Sequence, residues 1–136
     1  MASLQKFIKS KKPNIIINCA GKVGGILANA SYPVEFINEN IFIQLNLINL
    51  AYKFKIKHFI NLGSSCIYPK NSKFPLKESS LMTGPLEETN SAYSLSKIVG
   101  IAMGKAIESN ILKTINLIPT NLYGPNDNFD SQSSHV

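Results

Sequence analysis

HFINLGSS, residues 58–65, is a short apolar run that stops on a glycine and two serines. A run of this length, rich in β-branched and aromatic residues and closed by a turn signal, reads as a strand with small polar groups at its carboxyl end. Upstream, Asn14–Ala20 (NIIINCA) is a continuous apolar run between Pro13 and Gly21, the pattern of a buried parallel strand. Downstream, Lys113–Ile118 (KTINLI) is a third strand, followed by Pro119-Thr120-Asn121. Lys22–Tyr32 reads as a glycine-containing loop. From Val34 to about Phe54, Ile37, Ile41, Leu45 and Ile48 recur at helical spacing, with Phe36, Ile43, Leu47 and Leu50 beside them. Pro33 suits a first helical turn, with Ser31 as its cap. The apolar face is wide, as in a helix covered by a sheet on one side and a partner on the other. Tyr68–Asn90 contains Pro69, Pro75, Gly84 and Pro85 and reads as loop, and Ser91 to about Asn110 as a second long helix. Residues 1–12 are expected to be poorly ordered or a remnant helix, and 124–136 an irregular tail. The order β-α-β-α-β makes the chain α/β, with right-handed crossovers and a parallel sheet. Ligands of such sheets bind at the carboxyl ends of the strands, and all three ends here carry small polar residues.

The chain has 136 residues, enough for one domain. Its net charge is +6, and all 14 basic residues are lysines. Dispersed lysines solvate a surface, and without arginine the bidentate reading of bases is missing, so no nucleic-acid partner is expected. No apolar run approaches the roughly 20 residues of a membrane span, and the N-terminus lacks a secretory pattern. The expected compartment is the cytoplasm. Cys19 and Cys66 have no metal-type spacing, so no metal site is expected.

Tyr93-Ser94-Leu95-Ser96-Lys97 places a phenol and an ammonium four residues apart, on one face of the second helix. An adjacent ammonium favours the phenolate and lowers the tyrosine pKa, and lysine has three donors for a ribose. On its own this spacing also fits a surface lysine beside a half-buried tyrosine. Ser64, at the end of the preceding strand, adds a hydroxyl able to hold a substrate oxygen while Tyr93 transfers a proton.

Ser64, Tyr93 and Lys97 at these positions resemble the short-chain dehydrogenase/reductase family, whose extended branch acts on nucleotide sugars. The fold this implies is the middle β-α-β-α-β portion of a Rossmann-type doubly wound parallel sheet. Lys22–Ile26 (KVGGI), Leu62–Pro69 (LGSSCIYP), Tyr93–Lys97, Pro119–Asn128 (PTNLYGPNDN) and Ser134-His135-Val136 are together similar to the GDP-L-fucose synthase branch, from about Pro13 to the last residue. The resemblance implies NADPH-dependent epimerisation and reduction of GDP-4-keto-6-deoxy-mannose. Tyr93 would give a proton to the C4 oxygen, Ser64 would hydrogen-bond that oxygen, and Lys97 would hold the nicotinamide ribose. Cys66 and His135 would be the acid–base pair at C3 and C5. Leu62, Gly63, Ser64, Ser65, Lys97, Pro119, Thr120, Asn121, Leu122 and His135 would contact NADP(H). It also implies a homodimer through the 34–54 and 91–110 helices. Read without it, Cys66 also fits a small core residue, Ser65 a simple turn, His135 a frayed polar tail, His58 a structural or exposed strand residue, and Cys19 a packed strand end.

No glycines form the strand–GxxGxxG–helix element that receives a pyrophosphate. The chain thus reads as a partial dinucleotide-binding domain, the catalytic half of a longer enzyme, and as marginally stable alone. The competing readings are another nucleotide-sugar epimerase or dehydratase, against which Cys66 speaks, and a non-catalytic fragment that dimerises through its helices.

Overall fold

A computed structural model describes residues 2–130. Its elements are α1 (Ala2–Lys11), β1 (Ile15–Asn18), α2 (Ile26–Ser31), α3 (Pro33–Lys53), β2 (His58–Leu62), α4 (Ser91–Ile107) and β3 (Lys113–Leu117). The three strands form one parallel sheet in the order β1-β2-β3. The α/β class and the alternation of strands and helices are those expected. His135 and the rest of 131–136 lie outside the described residues.

The register explains which side of the sheet is covered. Ile17, Ile60 and Ile115 stand in one row, as do Leu62 and Leu117. Ile15, Ile17, Ile115 and Leu117 are exposed. The alternate residues face the helices: Ile16 packs against the core, Phe59 and Asn61 are buried, and α4 lies close over Thr114 and Asn116 through Gly104. The main core joins Ile8 of α1, Ile48, Leu50 and Ala51 of α3, Ile56, Phe59 and Leu112. A second cluster, Ile67, Ile98 and Ile101, fastens the turn after β2 to α4. Burying each of the Ile, Leu and Phe side chains contributes roughly 1.5–3 kcal/mol.

Several expectations are corrected. Of the two expectations for residues 1–12 the helix is the one met: residues 2–11 form α1, because Leu4 and Ile8 recur at helical spacing and both pack on the core. The expected 22–32 loop contains α2: after Gly24-Gly25 the next six residues close a short helix, pinned by Asn29, whose Nδ2 donates to the carbonyls of Gly24 at 2.8 Å and Gly25 at 3.1 Å. The cap of α3 is Tyr32 rather than Ser31, and it makes no side-chain hydrogen bond; Pro33 stands in the first turn as expected. At the other end Lys55 takes φ 54°, with Lys55 N–H on the Tyr52 carbonyl and Ile56 N–H on the Ala51 carbonyl. This pair of bonds closes the last turn and turns Ile56 into the core. The second long helix stops at Ile107, short of Asn110. The 68–90 segment is loop with short 3-10 turns at Glu78–Ser80 and Glu88–Asn90. The buried face of α3 is not purely apolar: Asn40 and Gln44 are buried with Phe36, Ile48, Leu50 and Ala51.

Candidate active site

β2 delivers the site. Gly63 N–H continues the ladder by donating to the Leu117 carbonyl at 2.7 Å, and a Cβ on Gly63 would stand only 3.2 Å from that oxygen. The close approach keeps the ends of β2 and β3 level. Ser64 then leaves the strand in extended conformation, and its Oγ accepts from Cys66 N–H at 3.3 Å, capping the turn Ser65–Ile67. The Ser64 hydroxyl also interacts with the Tyr93 phenol, which brings the two side chains together at the strand end. Buried Ser94 of α4 donates to the Cys66 carbonyl at 3.0 Å, so the turn and the helix hold each other in place.

One helical turn places Tyr93 and Lys97 on the same side of α4. Tyr93 is half-buried, its ring edge-on to Phe36 with centroids 6.3 Å apart. The Lys97 ammonium lies 5.5 Å from the Tyr93 ring centroid, within range of a cation–π attraction, and donates to the Leu62 carbonyl at 3.0 Å. Burial pushes the Tyr93 phenol above its ordinary pKa; the Cys66 side chain adds electrostatically, while interaction with Ser64 pulls the other way. Burial also lowers the Lys97 pKa. The expected lowering of the Tyr93 pKa by Lys97 is therefore not what this arrangement gives, because the ammonium faces the ring and a carbonyl, and desolvation dominates. A phenol held protonated is suited to give up a proton to a basic oxygen. Lys97 keeps two donors beyond the one spent on Leu62.

The strand ends open into a cleft of about 790 Å³. Ser64, Cys66, Tyr93, Lys97, Leu62, Gly63, Pro119, Thr120, Asn121 and Leu122 all line it. Ser65 does not: its carbonyl accepts from Tyr68 N–H, and it serves the turn. Cys19 also lines the cleft, exposed rather than packed, and His58 is half-buried on β2.

Two parts of the wall were not anticipated. Val23–Asn29 form one side, concealed in the sequence by their glycines. Asn90 forms another: it stands at the cap position of α4 without capping it, and its Oδ1 accepts from Ser94 Oγ at 3.4 Å. A capping residue type three positions ahead of a helical tyrosine was the available signal.

The cleft has the room and the polar lining to take part of a dinucleotide. A Cβ on Gly21 would lie 2.9 Å from Asn40 Oδ1 and 3.6 Å from Lys97 Nζ, so a bare backbone is what leaves the floor open beside the ammonium. Lys97 would hold ribose hydroxyls, and Pro119–Leu122 would flank the ring. Among the described residues no group of His, Cys, Asp and Glu is arranged to hold a metal ion, and no helix is long and apolar enough to cross a membrane.

GDP-L-fucose synthase 1 of Arabidopsis thaliana is 47% identical over 136 residues, 99% of this chain and 42% of the relative. The GDP-L-fucose synthase of Escherichia coli (strain K12) is 42% identical over 135 residues, 98% of this chain and 42% of the relative. The chain thus spans about two fifths of the length of these curated relatives. Among solved structures, a GDP-L-fucose synthetase from Naegleria fowleri bound to NADP superposes with a TM-score of 0.88 at 29% identity, covering 98% of this chain and 42% of the other. The profile of the NAD dependent epimerase/dehydratase family matches residues 1–136. Matched along its whole length, and with its serine, tyrosine and lysine brought to one strand-end cleft, the chain belongs to the NAD dependent epimerase/dehydratase family.

Proposed function

We propose that this chain carries the catalytic centre of an NADPH-dependent epimerase–reductase that converts GDP-4-keto-6-deoxy-mannose to GDP-L-fucose. The observation that carries the reading is the convergence of Ser64, Cys66, Tyr93 and Lys97 on one cleft with Pro119–Leu122. NADPH, when bound, supplies the hydride for C4. Ser64, which interacts with the Tyr93 phenol before substrate is bound, turns its hydroxyl proton to the C4 oxygen and fixes the carbonyl against Tyr93. Tyr93, protonated at neutral pH, gives its proton to that oxygen as it gains charge. Lys97 holds the ribose with its two remaining donors. Cys66, beside Tyr93, removes or returns the protons that the 4-keto group makes labile at C3 and C5, and His135 is its partner. The relatives' names support a GDP-sugar as substrate. The outer faces of the two long helices, with Val34, Phe42, Tyr52 and Leu95 exposed, support a homodimer.

The test is a chimera in which this chain replaces the matched segment of the Escherichia coli relative. NADPH oxidation with GDP-4-keto-6-deoxy-mannose is expected. Tyr93→Phe should lower it by roughly 10²–10⁴-fold. Cys66→Ser should abolish deuterium uptake from solvent at C3 and C5 while cofactor binding persists. A folded chimera that keeps full turnover after Tyr93→Phe would refute the assignment.

A further inference from the structure

Lys97 owes its place to two backbone positions: its own, on α4, and that of Leu62, whose carbonyl it meets at 3.0 Å at the end of β2. One residue before each of these lies an attachment point for the same side chain. Gln44 of α3, buried to 2% exposure, donates from Nε2 to the carbonyl of Ser96 at 2.9 Å and to that of Asn40 at 3.0 Å. Its Oε1 accepts from Asn61 Nδ2 at 3.3 Å. The amide therefore spans helix and strand next to both partners of the Lys97–Leu62 hydrogen bond.

The sequence leaves room for this. A Cβ on Gly100 would overlap Gln44 Oε1, so the glycine on α4 is the vacancy the amide occupies. Asn61 is held in turn from both sides: Asn18 Nδ2 donates to its Oδ1 at 3.0 Å, and its own Nδ2 reaches Asn116 Oδ1 at 3.3 Å. A buried polar group left without partners costs about 1–3 kcal/mol, so a fully bonded amide here resists displacement.

We propose that Gln44 is a positioning residue for Lys97, fixing the distance between the α4 turn that carries the ammonium and the strand end that carries its acceptor. The proposal deepens the catalytic reading and rests on it for its meaning. Gln44 does not line the cleft, and its hydrogen bonds go to Ser96, Asn40 and Asn61; it acts through Ser96, Asn61 and Gly100.

The readout is proton exchange at the Lys97 ammonium in the ¹⁵N-labelled 136-residue chain, assigned with Lys97→Arg, with circular dichroism as the fold control. Gln44→Met keeps the length of the side chain and removes its bonds, and should speed Lys97 exchange roughly tenfold in the folded chain. Gly100→Ala should do the same by displacing an intact Gln44. The double variant Gln44→Ala/Gly100→Ala relieves the overlap, so thermal stability should recover relative to Gly100→Ala while Lys97 stays fast. Unchanged Lys97 protection in Gln44→Met, or protection restored in the double variant, would overturn the proposal, since a packing role predicts both. No cofactor enters these measurements. A chimera with protected Lys97 that fails to bind NADPH would instead count against the catalytic reading alone.

Discussion

A phenol packed against Phe36 gives up its proton reluctantly, and for Tyr93 this has a measurable consequence. Its folded-state pKa lies above the ordinary 10.0, chiefly because burial disfavours the phenolate. The folded chain thus binds this proton more tightly than the unfolded chain does. The linked stability is fully present below about pH 10 and is lost as the pH rises through the folded value. Lys97 has the opposite sign: burial sets its pKa below the ordinary 10.5, so a cost present at neutral pH lifts as the pH climbs toward 10.5. Tyr93→Phe deletes the first effect and keeps the second. Urea midpoints of the variant and the unmutated chain should differ by a constant amount up to about pH 10, then shift in the variant's favour. A difference that stays flat at higher pH would show that the folded chain does not hold the phenol protonated. The same opposition separates the two roles at the site. Tyr93 is kept neutral as a proton source, whereas Lys97 is placed by its hydrogen bond to Leu62 and not by attraction to a phenolate.

Between elements, the connection that matters most is polar. Asn18, Asn61 and Asn116 stand side by side on the helix-covered face of β1, β2 and β3, in register and hydrogen-bonded in a row. Asn18 Oδ1 also accepts from Ala20 N–H at 3.2 Å, and Asn40 of α3 exchanges bonds of 3.0 Å with both backbone groups of Lys22. The row thus fastens the strand-end loop that floors the cleft. Asn61→Leu keeps the branching of the side chain but strands Asn18 Nδ2 and Gln44 Oε1 in a buried place and leaves half-buried Asn116 Oδ1 without its donor. The expected loss is about 2–4 kcal/mol, read from urea unfolding at neutral pH. A loss near that of an exposed substitution would mean that water takes over the bonds. The row also marks how far the sequence could be read. β1, β2 and β3 were visible because short apolar runs ended at Gly or Pro, and the long helices because apolar residues recurred at their period. Ser64, Cys66, Tyr93 and Lys97 were visible because their motifs sit at strand and helix boundaries. Asn40 and Gln44 were not, since a polar residue on a helical wheel reads as solvent-facing until a polar partner on the sheet is known. α2 was hidden because Gly24-Gly25 signals a loop and six residues carry too little periodicity. For Ser65 the turn and the cofactor contact stay level in the sequence, because a turn residue and a cleft residue look alike there; the structure gives it the turn.

At the scale of the whole molecule, two of the exposed apolar surfaces should behave differently. The uncovered sheet face shows Ile15, Ile17, Ile115 and Leu117, while α3 and α4 show Val34, Phe42, Tyr52 and Leu95. Among the described residues the sheet has unpaired edges at β1 and β3, and an apolar face beside open edges can add further copies without closing. A helix-pair surface can meet its own copy about a two-fold axis, which closes after two chains. The chain alone should therefore bind a hydrophobic dye and form both dimers and larger species with rising concentration. Ile17→Thr with Ile115→Thr should remove dye binding and the larger species while the melting temperature holds. Both threonines suit a strand, and neither isoleucine is buried within the chain. Phe42→Glu should convert dimer to monomer and leave dye binding unchanged. Sedimentation velocity across a concentration series separates the species. If Phe42→Glu leaves the dimer intact and the threonine pair dissolves it, the sheet face is the contact between copies and the helix-paired homodimer is wrong.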